Sequence, residues 1–336
     1  MRKMRRRQFL KGLIGATAAA AAPSVVRAHD KVTFATNWVA EAEHGGFYQA
    51  LVDGTYWRHD IDIVIIPGGP NVNHRLLLPV GKIDFYMSAN TLQAFDAVAN
   101  NIPTIVVAAS FQKDPQVLLA HPGVETFDEL KSKTLFVSKE GMASYFQWLK
   151  RDFGFDETKV KPYTFNPQPF IANKNSAMQG YVTSEPYGVE QAGGFKPKIF
   201  LLADQGFDAY STLIETRRET VEKKPGLVQR FVDASAVGWY NYLYGDNRAA
   251  NDLIKKHNPE MTDALIAYSI ARMKEYGIVD SGDSTTLGIG AMTDARMKSF
   301  FDKMARAGVV KGDLDYRKGY TTRFANQKAG LELRPK

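Results

Sequence analysis

Between residues 31 and 110 the chain alternates short apolar β-type runs with helical patterns, and that alternation limits the folds open to it. Residues 32–35 and 61–66 read as strands, as do 83–87 and 103–109. Helical spacing fits 46–52, 71–80 and 91–99, and Pro67-Gly68-Gly69-Pro70 bounds the second strand. Strand, helix, strand in this order predicts a mostly parallel sheet covered by helices.

A second alternating series follows. Strands are expected at 117–120, 134–137, 160–165, 178–182 and 199–203, and helices at 127–130, 141–153, 170–175 and from 184 to 191. Residues 210–215 (Tyr-Ser-Thr-Leu-Ile-Glu) read as a strand returning to the first unit. From Arg218 on the pattern is nearly all helix, with Leu227, Val228, Phe231, Val232, Trp239, Tyr242 and Leu243 on one face. Further helices fit 248–257, 262–276 and 294–307, and residues 318–336 are expected to wrap loosely. The fold class is therefore α/β, with two α/β lobes and a two-strand hinge at the crossovers near 111–116 and 210–214. Lobe 1 takes residues 29–112 and 212–336, and lobe 2 takes 113–211. Such lobes close over a ligand.

The first 28 residues stand apart. Arg5-Arg6-Arg7-Gln8-Phe9-Leu10-Lys11 matches the twin-arginine export pattern, and residues 12–22 form an Ala-rich apolar run too short to span a bilayer. Val26-Arg27-Ala28 suits a signal peptidase, so cleavage is expected after Ala28 and the chain is expected in the periplasm. The whole chain holds 43 Lys or Arg and 36 Asp or Glu. The leader has seven Lys or Arg and no acid, which leaves the exported chain formally neutral. The basic balance thus belongs to the leader and gives no ground for a nucleic-acid or membrane-surface partner. With no Cys there is no disulfide, no thiolate nucleophile and no lipid-modified cysteine. No later apolar run reaches membrane length, so the exported chain is expected to be soluble.

Candidate binding residues collect where strands end and helices begin, since ligands of open α/β sheets sit beyond the carboxyl ends of the strands. In the first unit these are Asn37, Trp38, Glu41, His44, Gly69, Ser88 and Asn90. In the second they are Ser138, Tyr145, Glu185 and Tyr210. Trp38 offers a flat face to a ring, or it caps the core. Gly45-Gly46 either turns the chain or lets backbone approach closely. Ser88, Asn90 and Ser138 are donors or acceptors at helix starts, or ordinary N-caps. Glu185 could accept hydrogen bonds from an amino-substituted ring, or complement a helix dipole in the first turn. The six His residues show no metal-ligand spacing, and no nucleophile elbow, phosphate loop or dinucleotide fingerprint is present, so no metal, cofactor or catalytic residue is expected.

Taken together, the run 32–57, Gly81-Lys82-Ile83-Asp84-Phe85, Phe127-Asp128-Glu129-Leu130-Lys131 and the turn at Glu185 resemble one family. It is the substrate-binding proteins of ABC importers related to the binders of thiamine pyrimidine precursors, with nitrate, sulfonate and taurine binders as cousins. The resemblance spans roughly residues 31–259. It implies the type II periplasmic-binding-protein fold, a monomer, and an ABC permease with its ATPase as partners. It also implies that Trp38 stacks on the ligand ring, Asn90 hydrogen-bonds it, Glu185 reads a ring amino group, His44 lines the site and Tyr210 adds a wall. Fungal hydroxymethylpyrimidine synthases of the same superfamily carry a Lys and a reactive His after the third strand and a Cys-rich segment before the returning one. Met87-Ser88-Ala89-Asn90 and Gly206-Phe207-Asp208-Ala209-Tyr210 have neither, so the resemblance implies a binder rather than an enzyme. The expected ligand is a small aromatic nitrogen heterocycle. A nitrate, alkanesulfonate or taurine binder is one alternative, and a secreted enzyme acting on a pyrimidine is another.

Overall fold

The computed structural model describes residues 28–69 and 72–335. The twin-arginine pattern and the apolar leader lie outside the described residues, as does Asn71, an expected helix cap.

Among the described residues ten strands form two five-stranded sheets: β1 (Asp30–Ala35), β2 (Ile61–Ile66), β3 (Phe85–Asn90), β4 (Thr104–Phe111), β5 (Gln116–Ala120), β6 (Thr134–Val137), β7 (Val160–Pro162), β8 (Ser176–Tyr181), β9 (Lys198–Leu201) and β10 (Ser211–Arg217). The first sheet has the order β2-β1-β3-β10-β4 and the second β7-β6-β8-β5-β9. β1 runs parallel to β2 and β3, and β6 runs parallel to β7 and β8. The antiparallel member of each sheet is the strand that arrives from the other. β10 lies antiparallel between β3 and β4, and β5 lies antiparallel between β8 and β9. The fold is thus two mixed α/β sheets whose chain crosses between them twice.

Sequence explains the layers. In β2, Ile61, Ile63 and Ile65 face the core while Asp62 and Val64 face solvent, as period-two alternation on an edge strand requires. β10 is central, β4 is an edge strand covered through the bridges of Val106 to Tyr320 and Ala109 to Gly290, and both are almost wholly buried. One face of the first sheet carries the helices Gly45–Val52 and Pro225–Tyr244, which cross at very short range. A methyl on Gly46 would stand 2.6 Å from Trp239 Cδ1 and nearer still to its Cγ and Cδ2. A methyl on Gly238 would meet Ala50 Cβ at 2.6 Å. The paired glycines therefore serve close backbone approach, and what approaches is the indole of Trp239 and the ring of Tyr242.

Three expectations need correction. Residues 71–80 do not form a helix; only one tight turn, His74–Leu77, is present among the described ones. Pro79 lacks a donor and its ring opposes the carbonyl four residues back. The 141–153 helix is broken at Ser144 (φ −123°, ψ −104°), after which Tyr145–Trp148 restarts it and Leu149–Phe153 winds more widely. The C-terminal residues do not wrap loosely. Tyr320 pairs with Val106 of β4, Phe324 and Ala325 are buried, and Asn326 exchanges hydrogen bonds with the backbone of Met292. Among the described residues no helix is long and apolar enough to cross a membrane.

Candidate functional site

The ends of β1, β3, β6 and β8 point into one cavity of about 440 Å³ between the two sheets. Nine of the eleven sequence candidates line it: Asn37, Trp38, Glu41, His44, Gly69, Asn90, Ser138, Tyr145 and Glu185. Ser88 does not. Strand alternation turns Met87 and Ala89 to the cavity and sends the Ser88 side chain to the opposite side, where it is fully buried. Tyr210 does not either. Its hydroxyl donates to Asp283 at 2.6 Å, and the Arg296 guanidinium covers its ring at 4.1 Å. The next two residues, Ser211 and Thr212, reach the cavity instead. Thr212 takes a positive φ of 49°, an unfavourable conformation for a β-branched residue, where the chain re-enters the first sheet.

Several candidates also hold their own surroundings together. Asn90 Oδ1 accepts from Leu92 N at 3.1 Å, capping the helix Thr91–Ala99, and its Nδ2 donates to Asp114 Oδ2 at 3.0 Å. Ser138 Oγ accepts from Gly141 N at 3.1 Å. Glu185 Oε2 accepts from Tyr181 N and from Ser184 Oγ, both at 2.6 Å, so one of its oxygens is committed to its own turn. Gly180 makes room for that turn, since a methyl there would sit 2.6 Å from Glu185 Cβ.

Several lining residues were not among the sequence candidates. Gln179 Oε1 gathers the Ser138 N–H at 2.6 Å and the Tyr145 hydroxyl at 2.8 Å. Asp114 lies at the crossover into β5 and is 2 % exposed. Phe165 stands at the cavity mouth, 56 % exposed and at φ +60°, with its ring 5.5 Å from that of Trp38. Tyr181 and Phe207 complete the aromatic lining. Lys113-Asp114-Pro115 signalled a crossover but nothing in it marked a site. Phe165 falls just past the end of β7, where a strand reading hid its turn.

The electrostatics are one-sided. Five carboxyl side chains line the cavity (Glu41, Glu43, Asp114, Glu140 and Glu185), and none of the described lining residues is Lys or Arg. Burial raises the Glu41 carboxyl well above the usual range, reinforced by repulsion from Glu43 and Glu185. Burial also raises Glu43 and Glu185, although the hydrogen bonds from Ser184 and Tyr181 N draw Glu185 partly back. Asp114 is pushed up to about 6 by burial. His44, 3.7 Å from Glu41, is pushed down to about 3 by burial, so its ring is neutral at neutral pH. Buried acceptor atoms here lack a donor: Asn37 Oδ1 and Glu43 Oε1 have no hydrogen-bond partner, and neither does His44 Nδ1. Among the described residues no three His, Asp or Glu side chains converge as a metal site would need.

With this geometry in hand, comparison with known proteins places the chain. The sequence profile of the family described as "NMT1/THI5 like" matches residues 41–249, more than half of the chain. No curated protein matches by sequence. Among solved structures, the periplasmic aliphatic sulphonate binding protein SsuA from Escherichia coli superposes with a TM-score of 0.58 at 17% identity, over 86% of this chain and 91% of that one. The periplasmic nitrate-binding protein NrtA from Synechocystis PCC 6803 gives 0.58 at 12% identity, over 86% and 84%. A Candida albicans gene product described as having the generic periplasmic binding protein fold gives 0.58 at 18% identity, over 87% and 96%. At these identities the likeness is one of fold, and the fold is the two-lobed α/β type expected from the strand order.

Proposed function

The chain belongs to the NMT1/THI5-like family, and from that premise we propose that it is a periplasmic solute-binding receptor of an ABC importer. It holds a small aromatic nitrogen heterocycle between its lobes, closes, and delivers the solute unaltered to a permease driven by an ATPase. The lobes comprise residues 29–112 with 212–336, and 113–211. The chain acts as a monomer, exported by the twin-arginine route. Closure requires the solute to favour the closed form by a few kcal/mol.

The observation that supports this ligand class is the lining itself. Trp38 and Phe165 offer flat faces at the mouth, while Asn37, Glu43 and Glu185 offer acceptors to ring N–H groups. We assign stacking to Trp38, and contact with the ligand to Asn37, Glu41, His44, Asn90, Ser138, Tyr145 and Glu185. Asn90 has one amide hydrogen to give beyond the bond to Asp114, and Glu185 has Oε1. A second reading, a receptor for nitrate, an alkanesulfonate or taurine, draws on the neighbours that carry such names. It must place an anion against five carboxyls with no lining Lys or Arg, a costly arrangement inside a protein.

A thermal-shift screen across pyrimidines, vitamins, sulfonates and nitrate tests the assignment. A heterocycle is expected to raise Tm and to be recovered chemically unchanged. Stabilisation by anions alone would overturn the ligand class. Turnover of the bound heterocycle would overturn the transport role in favour of an enzyme using His44 with Glu41 or Glu185.

A further inference from the structure

Resting on the solute-receptor reading, we infer that the solute carries a net positive charge: the cavity is built for an organic cation, with its carboxylates as the counter-charge. Three observations converge. The five lining carboxyls come from four separate segments (Glu41 with Glu43, then Asp114, Glu140 and Glu185) and line one space, so no rearrangement of a single loop would disperse them all. Glu43 is 4 % exposed, no cation of the chain pairs with it, and its Oε1 makes no hydrogen bond of ordinary length, the Thr183 hydroxyl and its own backbone N–H being the donors near its carboxyl. In native proteins a buried carboxylate is paired or hydrogen-bonded, and the partner missing here has the volume of the cavity in which to sit. Aromatic faces stand in the same wall (Trp38, Tyr145, Phe165, Tyr181 and Phe207), and a ring face attracts a cation through its quadrupole.

The surrounding charges leave this work undone. His44, the lining residue that could become cationic, is kept neutral by burial. Outside the cavity several acids have a cation beside them: Arg230 pairs with Asp30, Lys303 with Asp208, and Arg334 with Asp280, and buried Glu215 has Arg75 at 4.0 Å. The cavity is thus a place where carboxyls stand without a cation of the chain beside them, and a bound cation would draw those that burial holds toward the neutral acid back to the carboxylate form.

The test uses probe pairs of similar size and shape that differ chiefly in charge. 1-Methylnicotinamide, a fixed cation, is compared with neutral nicotinamide, and benzamidine with benzamide, by calorimetry on the exported full chain. Nitrate, methanesulfonate and taurine form the anionic arm. Each cation is expected to bind at least tenfold tighter than its neutral partner, and Glu43→Gln is expected to reduce that ratio to near one. Glu41→Gln, at a more exposed position, serves if Glu43→Gln does not fold, with the same expected reduction. Equal binding within the pairs, with Trp38 fluorescence reporting cavity occupancy, overturns the charge assignment and leaves the receptor reading standing. Tighter binding of an anion overturns the charge assignment and the heterocycle class together. Silence from every probe counts against both.

Discussion

Replacing Gly46 by Ala tests how the site is held. Gly46 lies in the helix Gly45–Val52, directly after Glu43 and His44. Its Cα rests on Trp239, which is fully buried and packed edge-on against Phe47, Phe111 and Tyr242 with centroids 5.9, 5.4 and 6.0 Å away. An added methyl would stand 2.6 Å from Trp239 Cδ1, about 1 Å inside ordinary carbon contact. The indole has no free side to retreat to, so the cost falls near the upper end of the overpacking range, about 3 kcal/mol. Alanine recovers about 1 kcal/mol of helix propensity. The net loss is about 2 kcal/mol, or roughly 4 °C in Tm for a chain of this size. Because the helix must shift outward, Glu43 and His44 move with it, and solute affinity should fall as well. Gly226→Ala is the control: there a methyl meets only Arg230 Nη1 at 3.7 Å. Scanning calorimetry of both variants decides the matter. If Gly46→Ala melts no lower than Gly226→Ala, the reasoning from close helix contact is wrong.

Other perturbations follow from the same structure. Trp38→Ala should weaken the tightest solute by about 1–3 kcal/mol, as loss of a desolvated aromatic anchor does, and unchanged affinity by calorimetry would remove the stacking role. Phe165→Ala should speed solute release, read by stopped-flow, with little effect on Tm because the ring is mostly exposed. The Asp114 carboxyl should titrate near 6 by carbon NMR, against about 3.9 in the unfolded chain; a midpoint below 4.5 would contradict its burial. Since its pKa is raised on folding, its stabilising contribution is complete below about pH 4 and is lost as pH rises through about 6, at most about 3 kcal/mol. Truncation after Gly319 should cost about 4 kcal/mol through loss of buried Tyr320 and Phe324, read as a lowered urea midpoint.

The succession of strands along the chain was legible because most are short β-branched or apolar runs bounded by turn residues. β6 falls on the expected residues, 134–137. What failed did so for physical reasons. Val72, Leu76 and Val80 have helix-like spacing but are exposed, and Pro79 blocks the helix they suggested. Gly45-Gly46 does allow close approach, but of Trp239 and Tyr242, in a helix nearly 200 residues further on, rather than of a ligand. At the site, strand ends could be read, so Asn37, Trp38, Asn90 and Ser138 were found. Asp114, Phe165 and Gln179 enter through crossovers and neighbouring strands, and tertiary placement of that kind leaves no local periodicity. Side-chain direction was likewise out of reach for Tyr210, whose partner Asp283 lies in the C-terminal helical region.

A receptor of this kind must hold its solute in the cavity between Trp38, Glu43 and Glu185. The most direct test is a crystal structure of the exported chain with the tightest solute from the screen. The predicted result is density for one intact molecule in that cavity, a ring face against Trp38 and an N–H group within hydrogen-bond distance of Glu43 Oε1. Density instead in the surface groove beside Arg218 and Lys311, with the cavity holding only water, would contradict it.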